Sequence, residues 1–158
     1  MIYFRPLVEY CCQVWSPYHI KDIKIIEKVQ KYYTRSVCRR AHLPYSDYKS
    51  RLTILGIKSL EVRRIFLDLV LLYKILHRLV DLPFDGFFKF SNSITRGHSL
   101  KIQPLDYPHY DCRRYFFSHR TSVIWNSLPN SVVSSDSLNI FKERIRDYDL
   151  SPFCKVFT

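Results

Sequence analysis

Glycine is nearly missing from this chain: three residues in 158, at positions 56, 86 and 97, against a usual level of about 7%. Folds that need φ > 0 at many turns or close approach of backbone to a ligand are therefore excluded. Gly-rich phosphate loops, the dinucleotide-binding fingerprint, collagen and a turn-dense β-sandwich all fall in that class. With 47% hydrophobic residues the chain still has the apolar stock for a globular core. What remains is a helical fold.

Apolar periodicity places the helices. Residues 3–15 read as a first helix that tolerates Pro6 only in its first turn, so this end is expected to be truncated or frayed. Ser16-Pro17 stops it, and a second helix spans 19–40 with Ile23, Ile26, Val29, Tyr33 and Val37 at helical spacing. Leu43-Pro44 ends that helix. Ser46 is the expected N-cap of a short helix through Leu55, with Gly56 placed for a left-handed C-terminal cap. Ser59 caps the next helix, over 60–79, whose apolar residues cover most of its circumference and place it at the centre of a bundle. Past Pro83, a Phe-rich patch (Phe84, Phe87, Phe88, Phe90) leads into residues 95–103, where a small hairpin or extended arm is expected, within about 91–113. The doublets Phe87-Phe88 and Phe116-Phe117 are expected in the core. A helix over 118–127 stops at Leu128-Pro129. The last begins at an N-cap, Ser137, with Leu138, Phe141, Ile145 and Tyr148 on one face. The expected fold is mainly α, an irregular helical bundle with a small β-hairpin or extended arm in the third quarter. Composition separates a basic helical region, 1–82, from a C-terminal extension, 83–158, expected to pack with it as one unit.

The formal net charge is +11, with 25 Lys+Arg against 14 Asp+Glu, which points to a polyanionic partner. The excess is local: residues 1–80 hold 15 basic and 6 acidic side chains, residues 81–158 hold 10 and 8. It concentrates further on the second helix. Taking Lys21 as zero at 100° per residue, Lys24, Lys28, Lys31, Arg35 and Arg39 fall at about 300°, 340°, 280°, 320° and 0°. Six cations thus share an arc of about 80° along roughly 27 Å of helix, with Tyr32 bordering it at about 20°. The dry side is expected opposite, where Ile23, Ile25, Ile26, Val29, Tyr33 and Val37 lie between about 40° and 200°. A solvated face of an ordinary surface helix intersperses acids among its lysines. Here Asp22 and Glu27 both fall outside the arc. Such a ladder can follow a line of phosphates and release counterions, with a tyrosine beside it to stack on a base. The pairs Arg63-Arg64 and Arg113-Arg114 fit ion pairs or helix-end carbonyls as well as phosphates.

Catalytic constellations are not found. Two-metal phosphoryl transfer needs paired carboxylates, and the chain has no Asp-Asp and a single Asp-x-Asp, Asp147-Tyr148-Asp149, near its C-terminal end. Cys38 and His42 lack a second ligand pair at finger-like spacing, and no G-x-S-x-G elbow presents a serine. Cys11 and Cys12 have nothing nearby that lowers a thiol pKa. Five cysteines without a CxxC pair favour a reducing intracellular compartment, nucleus or cytoplasm. The start of the chain has no signal-peptide pattern. The most apolar stretch, Ile65 to Leu76, carries Asp68 and Lys74 and is too short to span a bilayer, so no membrane is expected.

Several motifs occur together in order: Arg5-Pro-Leu-Val-Glu-Tyr-Cys-Cys-Gln-Val-Trp-Ser-Pro-Tyr18, Ile25-Ile-Glu-Lys-Val-Gln30, Ser59-Leu-Glu-Val-Arg-Arg64, Tyr73-Lys-Ile-Leu-His77, Thr95-Arg-Gly-His-Ser99, Phe116-Phe-Ser-His-Arg120 and Trp125-Asn-Ser-Leu-Pro129. Together they resemble the C-terminal part of non-LTR, LINE-type and jockey-like retrotransposon reverse transcriptases, nearly end to end. The resemblance implies the end of the thumb and the helical extension that follows the catalytic palm and holds template and primer. The family's catalytic Tyr-x-Asp-Asp lies upstream of every matched motif. The resemblance thus implies RNA-directed DNA polymerase activity for a parent protein, whose Mg would belong to the absent palm, and no cofactor for this chain. The open reading frame is expected to begin inside a former polymerase.

The expectation is therefore a non-catalytic module that binds RNA or DNA through backbone phosphates, with Lys21, Lys24, Lys28, Lys31, Arg35, Arg39 and Tyr32 as the contact residues. A polymerase palm domain is a further expected partner, and a small-molecule substrate is not expected. The alternative is a protein-interaction or structural module, or a non-functional remnant, with the former palm-facing surface exposed.

Overall fold

The computed structural model describes residues 4–44, 46–91, 97–105 and 110–156. The fold is mainly α with one small antiparallel hairpin, as expected: α1 (Phe4–Glu9), α2 (Cys12–Trp15), α3 (Ile20–Arg40), α4 (Tyr48–Ile54), α5 (Leu60–Leu76), β1 (Phe88–Phe90), β2 (Ile102–Pro104), α6 (Asp111–Arg114), α7 (Phe117–Ser127), α8 (Asn130–Val133) and α9 (Leu138–Asp147). Short 3-10 turns cover Phe84–Gly86 and Ser151–Phe153.

Helix ends account for much of the local structure. Three of them close with a left-handed residue and the paired backbone bonds of a Schellman turn. After α3 that residue is His42, φ 52°, with Leu43 N–H on the Cys38 carbonyl at 3.0 Å. After α4 it is Gly56, the predicted cap, φ 60°, with Ile57 N–H on the Leu52 carbonyl at 3.0 Å. After α5 it is Arg78, φ 52°, with Leu79 N–H on the Lys74 carbonyl at 2.8 Å. That turn ends α5 before residue 79, because Leu79 serves the cap instead of continuing the helix. The Ser59 hydroxyl accepts from Val62 N–H at 3.3 Å, and that of Ser137 from Ile140 N–H at 3.3 Å, as the sequence predicts.

Two local expectations are corrected. The N-cap of α4 is Asp47 rather than Ser46: its carboxylate accepts from Lys49 N–H and Ser50 N–H at 3.2 and 3.3 Å. An anion satisfies the positive end of a helix better than a hydroxyl does. The expected helix over 3–15 is two helices, broken at Cys11 with φ 49°. Trp15 Nε1 donates 2.6 Å to the Tyr10 carbonyl that the break frees. Pro6 falls in the first turn of α1, where its missing donor is harmless.

The chain separates into two compact units, one of residues up to Arg64 with the tail from Leu150, the other Ile65–Asp149. The composition-based boundary at 82/83 does not coincide with this division, which falls inside α5. A continuous helix carries no compositional mark where its neighbours change.

In the first unit α3 and α4 pack together, and charged side chains bind the remaining pieces. Glu9 on α1 makes a bidentate pair with Arg63, with Nη2 to Oε2 at 2.7 Å. Glu61 accepts the backbone N–H groups of Lys155 at 2.6 Å and Val156 at 3.2 Å, tying the tail to α5.

The second unit holds the aromatic core. Trp125 of α7, Tyr73 of α5, Phe88 of β1 and Phe141 of α9 are all buried, and Tyr73 stacks on Phe141 at 4.4 Å between ring centroids. The hairpin pairs Phe88 with Pro104, Lys89 with Gln103 and Phe90 with Ile102. Its first strand comes from the Phe-rich patch rather than from residues 95–103, because the pleat lets Phe88 enter the core. Thr95 and Arg96 lie outside the described residues. The free side of β2 meets α7, where Asn126 accepts from Ile102 N–H at 3.0 Å and donates to its carbonyl at 2.8 Å, as a third strand would. Phe88 and Phe117 meet edge to face at 5.9 Å. Phe87 and Phe116 are half-buried, so each doublet enters the core through one of its two rings.

Buried Asp68 of α5 and half-buried Arg120 of α7 form a bidentate pair, at 2.8 and 3.1 Å. Breaking such a pair by removing one partner is strongly destabilising, by about 3–5 kcal/mol. Arg120→Met should lower unfolding stability by that amount in denaturant melts. Adding Asp68→Leu should restore much of it.

Candidate nucleic-acid interface

The candidate interface lies on the 21 residues of α3. Five of its six predicted cations, Lys21, Lys24, Lys28, Arg35 and Arg39, are exposed, and none makes an ion pair among the described residues. Tyr32 beside them is 76% exposed. Lys31 differs: it is half-buried at the edge of the arc, its Nζ 5.2 Å from the centre of the Tyr48 ring. The ring face stabilises its charge, and the cation turns toward α4.

The dry side of α3 is not where the aliphatic residues predict it. The buried residues are Ile23, Glu27, Gln30, Thr34 and Cys38, a face centred at about 220° in the angular frame above. Ile25 and Val29 are instead 50% and 42% exposed. The reason lies at the start of α5, whose first N–H groups have no partner within their own helix. Both carboxylate oxygens of Glu27 lie 3.2 Å from the backbone N–H of Leu60 and accept from it. The Tyr48 hydroxyl donates to Glu27 and accepts from Gln30 Nε2 at 3.0 Å; the same nitrogen donates to the Lys58 carbonyl at 3.0 Å. These polar anchors turn α3 so that Glu27 faces inward. The cation arc then lies on an exposed flank, bordered by Ile25, Val29 and Tyr32.

The electrostatics of the anchor follow from its burial. Desolvation pushes the Glu27 carboxyl above its ordinary value of 4.5, against the Tyr48 and Leu60 hydrogen bonds and the charge of Arg64, which pull it down. Burial, followed by the hydrogen bond to Glu27, pushes the Tyr48 phenol well above its usual range.

Of the remaining sequence candidates, Arg63 pairs with Glu9 and Arg114 lies 3.9 Å from Asp111. Cys38 is buried while His42 is exposed. Among the described residues no group of three or more His, Cys, Asp and Glu is placed to hold a metal, and no helix is long and apolar enough to cross a membrane. Sequence reasoning missed Gln30, Thr34 and Arg51 as organisers of this region. The available signal was Glu27, an acid at about 240° on a mainly basic helix, sharing an arc with Ile23, Thr34 and Cys38.

A curated Caenorhabditis elegans protein, described as uncharacterized, is 30% identical over 104 residues. These are 66% of this chain and 52% of that protein, so the chain matches about half the length of this relative. No protein-family model matches the chain, and no solved structure matches it.

Because the folded state holds the Glu27 proton more tightly than the unfolded chain does, this contribution to stability is complete below the ordinary carboxylate value and is lost as pH rises through the raised folded value. Glu27→Gln should therefore gain stability relative to the native protein as pH rises from about 5 to about 8. Denaturant midpoints across that range check the sign.

Proposed function

We propose that this chain is a non-catalytic nucleic-acid-binding module, the thumb-end and C-terminal region of a non-LTR retrotransposon reverse transcriptase. It holds RNA or DNA by backbone phosphates. The observation that carries the reading is the exposed, carboxylate-free ladder of Lys21, Lys24, Lys28, Arg35 and Arg39 on one flank of α3. The ordered motifs that resemble this polymerase family support it.

Phosphate contacts set register and orientation and carry no base information, so binding by this ladder is sequence-tolerant. The exposed ring of Tyr32 offers a stacking surface to an unpaired base beside the strand. Polymerisation itself belongs to the parent protein's palm, with its metal ions; this chain contributes grip on template and primer. A second reading, a protein-docking module, draws on α1 and α2, where Leu7, Tyr10 and Val14 are each at least 75% exposed. Under it the isolated chain self-associates in size-exclusion chromatography and is rescued by a palm domain.

Each phosphate neutralised contributes about 0.9 to the slope of log affinity against log salt for duplex and about 0.7 for single strands. Replacing Lys21, Lys24, Lys28 and Arg35 by Gln should flatten that slope by about three. Fluorescence anisotropy at several salt concentrations measures it, and an unchanged slope contradicts the reading. Tyr32→Ala should weaken single-strand binding by about 1–3 kcal/mol and leave duplex binding nearly unchanged.

A further inference from the structure

The C-terminal end of α3 closes over a cavity of about 220 Å³ lined by Arg35, Cys38, Arg39, Leu43, Pro44, Ser46 and Arg51. Three arginines line it, and among the described residues no carboxylate does. Arg51 is only 8% exposed. Its Nε donates to Thr34 Oγ1 at 3.4 Å and its Nη1 to the Ser46 carbonyl, which fixes the plane of the fork. Its Nη2 has no hydrogen-bond partner among the described residues. Ser46 Oγ, on the cavity wall, is buried and also has none.

Arg51 serves structure through Thr34, the Ser46 carbonyl and the face of the Tyr48 ring 5.7 Å away, but Arg35 and Arg39 pair with no carboxylate among the described residues. Arginines at a helix C-terminus commonly serve its free carbonyls, but here the Cys38 and Arg39 carbonyls already accept the N–H groups of Leu43 and His42. The nearest carboxylate in sequence, Asp47, caps α4 and makes no ion pair with Arg51. A buried cation without a counter-ion is costly, and a buried hydroxyl without a partner adds to that cost. Both costs disappear if the cavity receives an anion with several acceptor oxygens. The fork geometry of guanidinium selects a tetrahedral oxyanion that can be held in bidentate fashion.

We propose that this cavity is a phosphate-binding site, in which Arg35, Arg39 and Arg51 neutralise a phosphate dianion and Ser46 Oγ donates to one of its oxygens. The phosphate is either free or the terminal monoester of a nucleic-acid strand. In the second case the site terminates the α3 ladder, with Arg35 and Arg39 common to both; that arm rests on the nucleic-acid reading, while the site itself does not.

The test uses the full chain and inorganic phosphate, titrated against potassium chloride at matched ionic strength. Phosphate should raise the melting temperature by several degrees and broaden the ³¹P resonance, and chloride should do neither. Arg35→Gln with Arg39→Gln, both exposed and so compatible with folding, should abolish the response; Arg51→Lys should weaken it. An equal response to chloride, or a response that survives the double substitution, overturns the proposal. A 5′-phosphorylated oligonucleotide binding about tenfold more tightly than its 5′-hydroxyl form identifies the strand end as the source. Equal affinities alongside an intact response to inorganic phosphate identify the free anion. Loss of all strand binding with that response intact counts against the nucleic-acid reading alone.

Discussion

The carboxylate of Glu27 at the head of α5 is the contact on which the first unit depends. It accepts Leu60 N–H and the Tyr48 hydroxyl, so one side chain joins α3, α4 and α5. Its demand outweighs the hydrophobic preference of the helix that carries it. Leaving Ile25 and Val29 half-exposed forgoes a few kcal/mol of transfer energy at most. Turning Glu27 to water would take the acceptor from the buried Leu60 N–H, at about 1–3 kcal/mol, and break the Tyr48 hydrogen bond as well. The rotation that results is also the one that presents the cations.

That rotation ties the fold to the proposed function. A helix turned by Glu27 shows solvent a flank of unpaired lysines and arginines beside an exposed tyrosine, and its C-terminal arginines meet Arg51 over a cavity. Two charge pairs serve structure among the described residues, Glu9 with Arg63 and Asp68 with Arg120. Lys21, Lys24, Lys28, Arg35 and Arg39 of α3 make no ion pair among the described residues, which leaves that flank open to an anion.

How much of this was legible in the sequence depends on which physical signal governs each element. Glycine scarcity, the Ser59 and Ser137 caps, the Gly56 stop and the all-round apolar helix over α5 are local or periodic, and the structure follows them. The cation arc was legible for the same reason. The buried face of α3 was not, because it is set by the orphan N–H groups of another helix 33 residues away; periodicity within α3 carries no trace of them. His42 and Arg78 end helices in a conformation that sequence rules assign to glycine. The chemistry around Arg51 depends on α4 folding back onto Thr34, a contact no spacing announces. The first strand was hidden in a patch of phenylalanines that read only as core.

The central claim is that one flank of α3 is the nucleic-acid-binding surface. Lysine acetylation footprinting of the full chain, with and without a saturating single-stranded oligonucleotide, tests it most directly. Lys21, Lys24 and Lys28 should be protected, while exposed Lys49 and Lys89 keep their free reactivity. Uniform protection of all five, or protection of Lys49 and Lys89 alone, would contradict the assignment.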